Sequence, residues 1–122
     1  MKRGKGFTLI ELLVVMAIIA ILLTIAGPRY FSSLEGAKET TLRQSLAVMR
    51  EALDQYYGDT GRYPESIEAL VEQRYLRQLP RDPLLDSSEH WVLLPPPEGA
   101  GVYDVKSGAP GLARDGSRYG DW

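Results

Sequence analysis

From Phe7 to Ala26 the chain reads FTLIELLVVMAIIAILLTIA, 20 residues with a single charge, Glu11. As a helix rising about 1.5 Å per residue, this run covers about 30 Å, the thickness of a bilayer's hydrocarbon. Lys2, Arg3 and Lys5 precede it, and Arg29, Glu35 and Lys38 follow it. The excess of positive charge at the start holds the N-terminus on the cytoplasmic side and sends the remainder to the other face. An ordinary secretory signal fits poorly. The apolar run exceeds the usual core of about 7 to 15 residues, Thr24-Ile25-Ala26 is a poor small-x-small cleavage site, and Glu11 lies inside the run. A carboxylate in hydrocarbon costs roughly 2.5 to 3.5 kcal/mol at mid-helix and less nearer the end, so Glu11 calls for a partner. The run itself contains no cation.

The whole chain is 122 residues, enough for one small domain beside the apolar run. Its formal charge is −2; without Lys2, Arg3 and Lys5, eleven basic residues face sixteen acidic ones, a net of −5 that suits nucleic acid badly. There is no cysteine and a single histidine, His90, so disulfides, thiolate metal sites and histidine clusters are excluded. A His-dependent triad would have to centre on His90, no nucleophile-elbow motif is present, and no carboxylate pair stands out. The sequence reads as a non-enzyme. A head this small needs support from assembly or a metal.

Lys5-Gly6-Phe7-Thr8-Leu9-Ile10-Glu11 resembles the cleavage and methylation motif of type IV pilins and pseudopilins. The resemblance implies that a prepilin peptidase cuts between Gly6 and Phe7 and that Phe7 is then N-methylated. Residues 1–6 become a removed leader, 7–27 a membrane and assembly helix, and 28–122 a periplasmic head. The new amine on Phe7 carries a positive charge, and Glu11 of one subunit can pair with the Phe7 amine of a neighbour. In a low-dielectric filament core an unpaired member of either kind is penalised, so the pair sets register as well as attracting.

Pro28, after Gly27, lacks an N–H and opposes helix continuation, so the pattern predicts bending or local melting there. In the family a proline at this place implies a segment that loosens when the subunit leaves the membrane; a plain kink at the bilayer surface explains it nearly as well. Beyond it Leu42, Leu46, Met49, Leu53 and Tyr56 recur at helical spacing and predict one apolar face. Lys38, Arg43, Arg50, Glu51 and Asp54 lie off that stripe. The helix should end near Gly58, with Gly61 and Pro64 closing off any extension. Ser66 can cap a short helix running to about Gln73, with Ile67, Leu70 and Val71 inward. Two strands are expected, His90 to Leu94 and Val102 to Val105, paired antiparallel across a Pro- and Gly-rich connection. Trp91 and Leu93, and Tyr103 and Val105, should cover the helix stripe.

The stretch from Tyr56 to Pro64, and Tyr75-Leu76 with Leu79-Pro80-Arg81-Asp82-Pro83, resemble the major pseudopilins of type II secretion. The implied fold is α+β and pilin-like: a long N-terminal helix on a small antiparallel sheet, with an irregular C-terminal loop. The implied role is mechanical, a helical filament of identical subunits with minor pseudopilins, built at the inner membrane by a platform protein and an assembly ATPase. A type IV pilus subunit and a membrane-tethered ligand-binding module are the alternatives; absence of cysteine argues mildly against the first. In the major pseudopilins a similar loop closed by a terminal Trp holds calcium, which takes six to eight oxygens. Asp115, Ser117, Ser107 and Asp121 are the side chains that could contribute. Where the family usually has Gly-Ala-Asp-Gly, this chain reads Gly108-Ala109-Pro110-Gly111, one carboxylate short. A turn at Asp115-Gly116, with Trp122 pinning the tail by packing, explains the composition equally well.

Overall fold

The computed structural model describes residues 6–122. The other leader residues, with Lys5 of the cleavage motif, lie outside them. In chain order the elements are helix α1 (Leu9–Thr60), helix α2 (Glu68–Glu72), strand β1 (Val92–Leu94), strand β2 (Asp104–Lys106) and a 3-10 turn at Tyr119–Asp121. The chain divides into two units, one ending at Leu34 and the other running Glu35–Trp122. This is the α+β, pilin-like architecture.

In the first unit every residue from Phe7 to Ala26 is exposed, and α1 is long and apolar enough there to cross a membrane. Thr8 starts the helix: its carbonyl accepts the Leu12 N–H at 3.1 Å and its hydroxyl accepts the Glu11 N–H at 3.1 Å. A side-chain acceptor at this place satisfies one of the first-turn donors that have no intrahelical partner. Pro28 does not interrupt α1, which corrects the expectation of local melting. Its fixed φ is itself helical, and the loss is confined to one N–H that would otherwise reach the Thr24 carbonyl.

In the second unit Leu42, Met49 and Leu53 are fully buried, Leu46 and Ala52 nearly so, and Tyr56 packs half-buried against them. The stripe predicted from spacing is therefore the core face. The helix ends at Thr60, two residues beyond Gly58. Gly61 takes φ +76° and donates its N–H to the Tyr57 carbonyl at 2.8 Å, a left-handed cap that a residue without Cβ adopts readily. Ser66 acts as expected, its hydroxyl accepting the Ala69 N–H at 3.3 Å, while Ile67 and Leu70 are buried and Val71 is half-buried.

The two strands pair antiparallel, Leu93 opposite Val105, but are three residues each. Trp91 and Val105 cover the helix stripe as expected; Leu93 and Tyr103 do not, at 41% and 46% exposed. Two-residue alternation fails because the backbone turns just before β2. Val102 donates to the Pro64 carbonyl at 2.8 Å and is buried, whereas Tyr103 is turned outward, its ring edge-on to Tyr63 at 5.3 Å. Trp91 precedes β1 and anchors its indole N–H on the Pro80 carbonyl at 2.9 Å.

Candidate functional site

Two sets of residues carry the sequence's functional expectations, one at the start of α1 and one where the C-terminal loop meets the second half of the helix.

At the start, Gly6 and Phe7 form a non-helical lead-in to the Thr8 cap, and Phe7 is 83% exposed. The bond between them thus lies on irregular, accessible backbone. Glu11 is the third residue of α1, exposed, in the turn where the helix dipole favours a negative charge. Phe7 and Glu11 are four residues apart, Phe7 in the lead-in and Glu11 in the first turn of α1. The spacing Thr8-x-x-Glu11 is itself a helix-start signal that the sequence reading left unused.

In the head, Glu39 is buried on the core stripe, one turn before Leu42. Its carboxylate accepts the Arg114 main-chain N–H at 2.8 Å, the Arg114 Nε–H at 3.1 Å and the Tyr119 hydroxyl at 3.2 Å. These donors, led by the main-chain N–H, hold the Glu39 carboxyl below its ordinary value, against burial, which acts the other way. Burial, with the charge on Glu39, raises the Tyr119 phenol. Gly36 makes room for this contact: a Cβ there would come within 2.6 Å of an Arg114 guanidinium nitrogen. Sequence reading gave Glu39 no role, although a carboxylate continuing an apolar stripe at spacing 3 and 7 was the available signal.

Three turns along the helix from Glu39, Arg50 donates from Nε to Asp104 at 2.8 Å and from Nη2 to the main-chain oxygens of Val105 at 2.9 Å and Trp122 at 2.7 Å. Lys106 reaches the main-chain oxygens of Asp121 and Trp122 at 3.2 and 3.1 Å. Arg43 lies 3.8 Å from the centre of the Trp122 ring and 3.6 Å from the Asp115 carboxylate.

Of the four side chains considered for calcium, the structure brings Asp115 and Ser117 together. Asp115 Oδ1 accepts both the N–H and the hydroxyl of Ser117, at 2.9 and 2.6 Å, and these bonds lower the Asp115 carboxyl. Ser117 Oγ in turn accepts the Trp122 indole N–H at 2.7 Å. Ser107 faces elsewhere: its hydroxyl bonds the fully buried Asp82, which also accepts the Leu84 N–H at 2.9 Å. Asp121 enters through its main-chain oxygen. Among the described residues, no three His, Cys, Asp or Glu side chains gather to hold a metal. These donors do not fit a calcium ion as they stand.

A long apolar helix behind a cleavage motif, with a small α+β head, defines a pilin-type subunit. The prokaryotic N-terminal methylation motif matches residues 1–27, and the family of protein G of the type II secretion system matches residues 29–120. The chain belongs to that family. It is 30% identical to the type II secretion system core protein G of Klebsiella pneumoniae, over all of this chain and 96% of that protein. With the Escherichia coli K12 protein of the same name it shares 31%, over 88% of this chain and 83% of the relative. With that of Pseudomonas aeruginosa it shares 29%, over 99% and 96%. No solved structure matches the chain. By family the chain is a structural pseudopilin, a component of an assembly with other secretion-system proteins, and its apolar helix and methylation motif fit anchorage in the inner membrane.

Proposed function

We propose that this subunit is cut between Gly6 and Phe7 by a prepilin peptidase, methylated on Phe7, and held in the inner membrane with its head in the periplasm. From there a platform protein and an assembly ATPase add it to a helical pseudopilus, alongside minor pseudopilins. Growth of that filament drives folded proteins through the outer-membrane secretin, and the chain makes no bonds itself. The carrying observation is the apolar stretch of residues 7–26, exposed throughout, with Glu11 four residues from Phe7. A second subunit can cover that face, and its Phe7 amine can supply the cation that the Glu11 carboxylate requires in an apolar surrounding.

The first measurement is an intact mass, with N-terminal fragmentation, of the protein from its host's membranes. A chain starting at Phe7 with one added methyl supports the proposal; one starting after Ala26, or still carrying Met1, sinks it. Glu11→Ala should still insert but build no filament and support no secretion. Normal secretion by that variant would remove the role assigned to the carboxylate.

A further inference from the structure

The oxygens of the C-terminal loop are held by cationic side chains of this same chain. Asp115 offers Oδ2 to Arg43 at 3.6 Å, while its Oδ1 is taken by Ser117. The Trp122 main-chain oxygen receives both Arg50 and Lys106, and that of Asp121 receives Lys106. Arg43 and Arg50 are seven residues apart on α1, two turns, and so share a helix face. Arg43 thus occupies the free oxygen of Asp115, and Arg50 and Lys106 add two more positive charges on the main-chain oxygens of the tail, so Coulomb repulsion opposes entry of a dication at the loop. Pro110 stands where the family that the loop resembles usually has an aspartate, and Ser107 is bonded to Asp82.

We infer that in this chain the guanidinium groups of Arg43 and Arg50 close the C-terminal loop onto the helix in place of a bound metal ion, so that the head folds without calcium. Arg50 carries more of the closure. It is one-third exposed and its planar fork spans three acceptors on β2 and the tail, whereas the Arg43–Asp115 pair is 59% exposed on both sides. Charge-assisted bonds with fixed geometry outweigh an open surface pair. Arg43 adds its stacking on the Trp122 ring, and through it on the Ser117 hydroxyl and Asp115.

The inference concerns the head's stability and goes beyond the assembly reading; its failure would leave that reading standing. The test is thermal unfolding of the full chain in detergent micelles, followed by tryptophan fluorescence, with excess calcium chloride and with excess chelator. Superimposable curves are expected. A midpoint that rises with calcium and falls with chelator would overturn the inference. Arg50→Gln should lower the midpoint by roughly 5 °C or more, equally in both conditions, with Arg50→Lys between it and the parent. Arg50→Gln melting like the parent would overturn the part assigned to the guanidinium. If Arg50→Gln does not fold, Arg43→Gln and the parent's response to calcium decide the matter.

Discussion

Glu39 accepts the main-chain N–H of Arg114, 75 residues further along, at 2.8 Å. A carboxylate on the core face of α1 thereby replaces an apolar contact with three hydrogen bonds to the tail. Removing it takes a charged acceptor away from three part-buried hydrogen bonds, at about 1 to 3 kcal/mol. Glu39→Ala is expected to lose that much in denaturant unfolding of the full chain in micelles. Unchanged stability would show that water serves those donors equally well.

The same carboxyl gives the head an acid dependence whose sign is fixed. Its folded value lies below the ordinary 4.5, so its stabilisation is complete above 4.5 and is lost as pH falls through the lowered folded value. Asp115, lowered chiefly by the Ser117 hydroxyl and N–H, acts in the same direction. Unfolding midpoints measured downward from neutral pH should fall in that acid range. Glu39→Gln should fall less steeply, because the group that takes up the proton is gone. A parallel slope in the variant would assign the acid sensitivity to other carboxylates.

What could be read from the sequence was what repeats at short range. The Leu42, Leu46, Met49, Leu53 stripe was legible because burial of one helix face imposes a 3.6-residue period, and all four are buried. Leu46→Ala should accordingly cost about 2 to 5 kcal/mol. The same denaturant measurement checks it, and a loss below 1 kcal/mol would mean that the site collapses around the cavity.

What could not be read depends on partners far apart in sequence. Asp82, between two prolines, looks like a turn residue; its burial follows from Ser107, 25 residues on. Leu93 and Tyr103 were assigned inward by alternation; Tyr103 lies before β2 begins, and within β1 both Val92 and Leu93 are exposed, so a two-residue period does not describe that strand. Arg50 was placed off the apolar stripe by spacing, but its acceptors on β2 and at Trp122, against which it is half-buried, lie 54 to 72 positions away. At the start of α1 the methylation motif was legible because it is encoded within a few residues, while the Thr8 cap, equally local, was passed over.

Gly108 is required by a close approach rather than by its backbone angle. A Cβ there would collide with the His90 carbonyl oxygen just before β1, and would meet a Leu85 methyl carbon at 3.6 Å. The oxygen belongs to backbone and cannot swing aside, so Gly108→Ala must displace the segment leading into β1. Overpacking of this kind costs about 1 to 3 kcal/mol. Gly58→Ala is the control, because a Cβ there meets nothing within 4 Å; exposed and within α1, it should gain about 1 kcal/mol from helix propensity. Equal behaviour of the two variants would remove the packing argument.

Pro28 sits within α1 although a proline in a helix interior disfavours it by about 3 kcal/mol. The Thr24 carbonyl receives no N–H from residue 28, and the Thr24 hydroxyl is turned back on the Ile21 carbonyl at 2.6 Å. This turn is therefore where the helix opens at least cost. Pro28→Ala restores the missing donor and should slow amide hydrogen exchange across residues 27–32 by roughly tenfold or more. If loosening here accompanies passage from membrane to filament, the variant will be processed and inserted normally yet assemble more slowly. Slower exchange with unchanged assembly would show that the proline marks a weak turn which the filament does not use.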